Sequence, residues 1–290
     1  MKRQVGTLAG MSFDDELHTD IRDHYDRGRE DERLRVGRGR LELWRTQDVL
    51  RRWLPAPPAR ILDVGGGSGV HAEWLAADGY DVELIDPVPL HVEQAARIPG
   101  VRAREGDARA LDAADGTADA VLLLGPLYHL PDPGDRRLAL SEASRVARPR
   151  GLVAVAAISR FASLHESIRQ GWLDEPDWVA GVEQTIADGV HRGRDYDERD
   201  RFTTAYFHHP DDVARELAEV GLEVGAVVSV EGSVAFMAGL DAALDDPTSG
   251  AILMRWLRLL ETEPSLLGAS SHLLGLATRP DSAASVSSRR

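Results

Sequence analysis

Residues 60–86 read RILDVGGGSGVHAEWLAADGYDVELID. The segment starts with a short apolar run, passes through four glycines within positions 65–69, and ends in a second apolar run that closes on Asp86. Glycine after a strand permits a tight turn and lets a ligand approach the backbone, and a following helix presents unpaired N–H groups to an anionic group. The segment therefore predicts a strand, a ligand-binding turn, a helix and a second strand.

The same alternation continues along the chain. Apolar runs predict strands at 60–64, 81–85, 101–105, 118–124 and 152–158, with helical patterns between them, one of them at 136–147. Two further strand-like segments follow after residue 220. Alternating strands and helices imply parallel strands with right-handed crossovers. We predict an α/β fold with a doubly wound, mostly parallel seven-stranded (Rossmann-like) sheet and helical N-terminal and lid additions.

Composition changes along the chain predict its organisation. We expect an N-terminal helical cap over 1–54, a main domain over 55–280, and a lid insertion at about 159–209, where the strand–helix rhythm is interrupted. The small polar residues of 281–290 are typical of a disordered tail.

The global composition excludes several classes of function. A formal net charge of -14 over 290 residues argues against nucleic acid as a partner, since phosphate binding needs a basic face. The chain has no cysteine, which excludes disulfides and Cys-ligated zinc. No apolar stretch approaches the length of a membrane span, so we expect a cytoplasmic protein with no membrane partner.

Two ligand classes use a glycine turn of this kind. A dinucleotide-binding G-x-G-x-x-G pattern that starts at Gly65 fails at Val70. A shifted G-x-G-x-x-A frame from Gly67 to Ala72 matches, but it starts two residues late and leaves Asp63 unexplained. A nicotinamide-dependent oxidoreductase therefore stays open as an alternative.

The other class explains Asp63. The run DVGGGSG at 63–69 resembles the first motif of class I S-adenosylmethionine-dependent methyltransferases, an acid-x-G-x-G-x-G pattern. Four more motifs follow in the family's order: the acid at Asp86, EGDARAL, ADAVLLLGPLYHL, and LSEASRVARPRGLVAVAAIS. The fourth motif, with ISRFASL and FTTAYFHHP further on, is similar to a small-molecule branch of that family.

The resemblance implies a set of cofactor-binding residues. They are Tyr25, Asp63, Gly65, Gly67, Asp86, Pro87, Asp107, Ala108 and Leu124. In the family, the glycine turn binds the methionyl part of the cofactor, and the acid at the end of the second strand binds the ribose hydroxyls. The residues at the positions of Asp107 and Ala108 contact the adenine. Tyr25 resembles a residue that closes over the cofactor.

The resemblance also directs attention to catalytic candidates. Tyr128 and His129 follow the fourth strand, where an acceptor should lie, and His208 or His209 could approach from the lid. A general base is needed only if the acceptor loses a proton on attack. No set of histidines has a convincing metal-ligand spacing, so we predict no metal.

These observations predict an enzyme that transfers the methyl group of S-adenosylmethionine to a small-molecule acceptor, by in-line displacement in a lidded pocket. Two alternatives remain beside the oxidoreductase. One is a protein that binds S-adenosylmethionine without methyl transfer, and the other directs the cofactor to alkyl-transfer or cyclisation chemistry. A homodimer is compatible with the sequence.

Overall fold

The computed structural model describes residues 33–192 and 202–281, and it contains one seven-stranded sheet. Its strands are β1 (Arg60–Val64), β2 (Asp81–Asp86), β3 (Val101–Glu105), β4 (Ala118–Leu123), β5 (Ala147–Ile158), β8 (Glu223–Ser229) and β9 (His272–Thr278). They lie in the order β3-β2-β1-β4-β5-β9-β8. β9 is antiparallel to both of its neighbours, and the other six strands of this sheet run in one direction. The predicted fold class is confirmed.

Helices cover the sheet and its carboxyl edge. They are α1 (Gly39–Trp53), α2 (Val70–Ala77), α3 (Pro89–Ala95), α4 (Pro133–Val146), α5 (Ala162–Gln170), α6 (Pro176–Asp188), α7 (Pro210–Glu219), α8 (Leu240–Asp245) and α9 (Pro247–Leu260). Three 3₁₀ segments span Pro126–His129, Gly232–Phe236 and Pro264–Ala269, and a small hairpin pairs β6 (Val190–His191) with β7 (Ala205–Tyr206).

Successive residues of the central strands point to opposite faces, as the two-residue period of a strand requires. In β1, Ile61 packs in the core on the side of α1 and α2, whereas Leu62 packs on the side of α4 and α7. Both side chains are buried. Burial on both faces explains why these strands are nearly continuous apolar runs.

Two element boundaries differ from the predicted ones. β5 begins at Ala147, because this residue pairs with Ala118 before an irregularity that restores regular pairing at Leu152. α4 begins at Pro133, since the side chain of Asp132 accepts hydrogen bonds from the first backbone N–H groups of the helix.

Two insertions lie at the carboxyl edge of the sheet. The first contains α5, α6 and the β6–β7 hairpin, within the predicted lid at 159–209. The second connects β8 to β9 and contains α8 and α9, and Leu240 and Leu257 from it pack on Leu41 of α1. Among the described residues, no helix has the length and apolar character needed to cross a bilayer. The predicted cap and tail fall partly outside the described residues, and the domain boundaries stay a prediction.

Candidate functional site

A cleft opens at the carboxyl ends of β1, β2 and β4. Strand order reverses between β1 and β4, which is where open α/β sheets leave a crevice for ligands. The cleft is lined by Arg33, Leu34, Glu42, Gly65, Gly66, Gly67, Ser68, Val70, His71, Asp86, Pro87, Val88, His91, Gly106, Asp107, Ala108, Arg109, Leu124, Gly125, Pro126, Tyr128, His129 and Leu130. Tyr25 lies outside the described residues. Of the other predicted cofactor residues, all except Asp63 border this cleft.

The glycine loop fits its surroundings only without side chains. Gly65 has a φ of 67°, and a Cβ there would lie 2.5 Å from Cγ of Pro126. A Cβ on Gly66 would lie 2.7 Å from Oδ2 of Asp63. The loop is tied to the sheet by the N–H of Gly65, which donates to the carbonyl of Ile85 over 2.7 Å. Its backbone therefore forms the floor of the cleft.

Asp86 lies at the end of β2 and is held by three groups. Its Oδ2 accepts from the N–H of Gly67 over 2.8 Å, and its Oδ1 accepts from the N–H of Val88 over 3.0 Å. Nδ1 of the buried His91 lies 3.0 Å from the same Oδ1. These contacts orient the carboxylate at the cleft wall. No sequence pattern predicts His91, because its contact depends on how α3 turns back to β2.

Asp63 does not border the cleft and lies beneath the loop. Its side chain is fully buried, and neither oxygen has a hydrogen-bond partner in the part of the chain that the structure describes. Burial, reinforced by the charge of Asp86, raises the pKa of Asp63 to about 7. A buried carboxyl group without a partner is costly, so this position favours a bound ligand or water that would satisfy it.

Asp107 and Ala108 lie further along the cleft, beyond Pro87. Asp107 accepts from the backbone N–H of Arg109 over 2.8 Å and from its guanidinium over 2.8 Å, and Arg109 also contacts Asp135 over 2.9 Å. The carboxylate of Asp107 is thus fixed by a local turn. The predicted adenine contact stays a prediction.

The catalytic candidates lie on the 3₁₀ segment after β4. Tyr128 donates to the carbonyl of Leu124 over 3.3 Å, and its ring centroid lies 4.6 Å from that of His129. His129 borders the cleft, and its ring stacks on Phe202 with centroids 6.2 Å apart. The assignment of a base to His129 stays a prediction.

A second cavity, the chamber, lies between the cleft and the two insertions. It is lined by side chains from α1, β5, β9 and both insertions, including Ile158, Trp172, Trp178, Phe207 and Leu240. Five residues border both cavities: Arg33, Glu42, His71, Leu124 and Tyr128. The predicted cofactor region and an aromatic-lined space are therefore adjacent.

The chamber wall contains an ion cluster that the sequence did not predict, in which Glu231 is buried and Glu42 and His272 are half-buried. Nδ1 of His272 contacts Glu231 and lies 3.6 Å from Oε2 of Glu42. Burial opposes charge on His272, but the two carboxylates outweigh it and raise its pKa to about 9. The three members of the cluster come from α1 (Glu42), from the loop after β8 (Glu231) and from β9 (His272), so only folding brings them together.

This cluster contains the donor types that a divalent cation takes, with ligand atoms within 4.8 Å of one another. Arg33 already donates to both oxygens of Glu42, over 2.6 Å and 3.1 Å. We therefore interpret the group as an ion network, and the absence of a metal stays a prediction.

The two lid histidines have structural positions. His208 is buried, with its Nε2 3.3 Å from Oε2 of Glu216. His209 precedes α7, and its side chain accepts from the N–H of Asp211. Neither borders the cleft or the chamber.

Comparison with known proteins places the site in a family. Residues 61–151 match the family model described as "Methyltransferase domain". Over 130 residues the chain is 35% identical to an uncharacterized methyltransferase of Mycobacterium tuberculosis, an alignment that covers 44% of this chain and 49% of the relative. Over 111 residues it is 36% identical to the ubiquinone biosynthesis O-methyltransferase of Azorhizobium caulinodans, covering 37% and 43%. The chain thus spans about half the length of the curated relatives it matches.

The fold agrees with solved structures. A SAM-dependent methyltransferase from Methanosarcina mazei superposes with a TM-score of 0.55 at 18% identity, over 80% of this chain and 97% of the other. Residues 61–151 therefore match a methyltransferase domain, and the fold is that of S-adenosylmethionine-dependent methyltransferases of known structure. These matches confirm the predicted resemblance to this family and the predicted cofactor, S-adenosylmethionine.

Proposed function

We propose that this protein transfers the methyl group of S-adenosylmethionine to a small-molecule acceptor held in the chamber. The observation that carries the proposal is that Leu124 and Tyr128 border both the cleft and the chamber. A cofactor in the cleft and an acceptor in the chamber would meet at these two residues. One relative carries the name of an O-methyltransferase of ubiquinone biosynthesis, which supports a small organic acceptor.

The residues of the cleft suit the cofactor's three parts. The glycine loop offers close backbone approach for the methionyl part, Asp86 offers a carboxylate for the ribose hydroxyls, and Ala108 offers a small apolar contact for the base. When bound, S-adenosylmethionine supplies an activated methyl group, and the new acceptor–carbon bond forms as the carbon–sulfur bond breaks with its electron pair left on sulfur. The protein's contribution is alignment and exclusion of water by the two insertions.

Calorimetry on the full chain with S-adenosylmethionine, S-adenosylhomocysteine and NAD tests the cofactor. We expect binding of the first two and none of NAD. Mass spectrometry of the purified protein for bound cofactor, followed by a methyl-transfer screen against small metabolites, tests the reaction. Binding of NAD without affinity for the sulfonium would contradict the proposal, and cofactor binding with no transfer to any acceptor would favour the cofactor-binding alternative.

A further inference from the structure

The chamber is lined by charged side chains in nearly matched numbers. The lining includes Arg33, Arg38, Arg169, Glu42, Glu166, Glu231 and His272. Three cation–anion pairs form among them: Arg33 with Glu42, Arg169 with Glu166, and His272 with Glu231. His272 is protonated at neutral pH in this environment, because its pKa is raised to about 9. Of these seven residues, only Arg38 is outside the three pairs.

Arg38 is the arginine of the chamber wall that pairs with no carboxylate of the described residues. It lies at the start of α1, and its guanidinium donates to the backbone carbonyls of Ala235 and Met237 in the second insertion. Within residues 33–192 and 202–281, it forms no ion pair. Two backbone carbonyls therefore fix its position, and neither carries a formal charge.

Arg169 lies on α5 of the lid and lines the same chamber as Arg38. Burial lowers the pKa of Arg169, and the charge of Arg38 lowers it further. Two guanidinium groups that face one cavity repel each other, and an anion between them would relieve that repulsion. Among the described residues that line the chamber, four positive side chains (Arg33, Arg38, Arg169 and His272) face three carboxylates, although the formal net charge of the chain is -14.

Aromatic rings form a continuous wall from the cleft into the chamber. The ring of His129 stacks on Phe202, and His191 stacks on Phe207 with centroids 5.0 Å apart and an interplanar angle of 7°. The ring centroids of Phe202 and His191 are 6.1 Å apart. Trp178 continues the wall, with its ring centroid 6.1 Å from that of His191. Such a wall offers flat apolar contact to a planar ligand.

Resting on the proposed function, we propose that the acceptor is a planar aromatic molecule that carries a carboxylate. The carboxylate binds Arg38 and Arg169, the ring lies along the aromatic wall, and the atom that accepts the methyl group lies at the Tyr128 border. Arginine binds carboxylates through paired, charge-assisted hydrogen bonds, which a neutral amide of the same shape cannot replace.

Matched ligand pairs test this proposal. The probes are 4-hydroxybenzoate and 4-hydroxybenzamide, benzoate and benzamide, and indole-3-acetate and its amide. Calorimetry on the full chain, with S-adenosylhomocysteine present, should give at least about tenfold tighter binding of the acid in one or more pairs. If every amide binds as tightly as its acid, or if no acid binds at millimolar concentration, the proposal is wrong.

Variants identify the residue responsible. Arg38→Gln should reduce the acid-over-amide ratio to within about twofold. Arg40→Gln is the control, because Arg40 lies on the same helix but pairs outside the chamber with Asp245 over 2.9 Å. Arg169→Gln should lower the ratio partially and provides a second test if Arg38→Gln unfolds. An unchanged ratio in both folded variants would overturn the assignment.

The outcomes separate this proposal from the proposed function. A chain that binds S-adenosylmethionine but shows no preference for acids refutes the acceptor class alone. A chain that prefers acids but does not bind S-adenosylmethionine refutes the methyltransferase function and leaves the anion site standing.

Discussion

The backbone N–H of Gly67 donates a hydrogen bond to Oδ2 of Asp86 over 2.8 Å, so the glycine loop after β1 is tied to the carboxylate at the end of β2. The other oxygen of Asp86 contacts Val88 and His91. A carboxylate offers about four acceptor positions, and three are already used. A ligand diol that takes two hydrogen bonds must therefore share or displace one of them, which couples ribose binding to the shape of the glycine loop.

Asp86→Ala should weaken binding of S-adenosylmethionine by about 1.5–3 kcal/mol, the usual scale for hydrogen bonds to a charged group. The loss includes the freed N–H of Gly67 as well as the ribose contact. Calorimetry measures it. Asp78→Ala is the matched control, since Asp78 pairs with Arg51 on the surface and lies outside the cleft. Equal affinities in the two variants would show that Asp86 does not hold the cofactor.

Asp63 should make the cofactor-free protein less stable as the pH rises. Its folded pKa is raised to about 7, above an unfolded value near 3.9, so the folded state binds the extra proton. The associated stability is present below about pH 4 and is lost as the pH rises to about 7, at 1.36 kcal/mol per pKa unit. Thermal unfolding from pH 4 to 8 should show this slope in the wild type and not in Asp63→Asn. Parallel curves for the two proteins would contradict it.

His272 predicts a second slope at higher pH. Glu42 and Glu231 outweigh burial and raise its folded pKa to about 9, above an unfolded value near 6.5. Its contribution is fully present below about pH 6.5 and is lost as the pH rises through about 9. His272→Gln should remove this loss between pH 6.5 and 9 while keeping a polar side chain. The comparison uses the free energy of unfolding in urea, and an unchanged slope would show that the ion cluster is not formed.

His129→Ala distinguishes acid–base catalysis from alignment. If the acceptor loses a proton to this residue, kcat should fall by about 10²–10⁴, with cofactor affinity nearly intact. His165→Ala is a control, because this lid histidine contacts Phe236 rather than the cleft. A loss under about tenfold would make His129 a packing residue.

Arg136 joins α4 to α7 and should be important for stability. Its guanidinium is buried, contacts Glu216 over 2.9 Å, donates to the carbonyl of Leu130 over 2.9 Å and lies 3.7 Å from the ring centroid of Tyr206. Arg136→Ala removes the guanidinium from Glu216 and leaves His208 as its remaining contact within the described residues, and breaking a buried ion pair typically costs about 3–5 kcal/mol. Urea unfolding measures this loss. The neighbouring Arg137→Ala should change stability by less than about 0.5 kcal/mol, because Arg137 is exposed.

The sheet and the cleft can be predicted from the order of the residues alone. The first strand, its glycine turn and Asp86 fall within 27 consecutive residues, and a parallel sheet must bring the carboxyl ends of neighbouring strands to one edge. The two-residue alternation of the strands and the position of the glycine turn are therefore enough to predict which residues meet at this edge. The places of Gly65, Pro87 and Leu124 in one cleft follow from this rule.

The residues that line the chamber can be identified only from the tertiary structure. Glu42, Glu231 and His272 are far apart in sequence, and no periodicity relates α1, the loop after β8 and β9. Arg38 became distinctive only because folding paired the other charges and left its guanidinium on backbone carbonyls. Asp63, predicted as a cofactor contact, lies beneath the loop because the glycines pack directly on its carboxylate. These contacts depend on which surfaces meet when the insertions pack over the edge of the sheet. Side chains that pair across long sequence distances produce no local sequence pattern, so the sequence does not predict them.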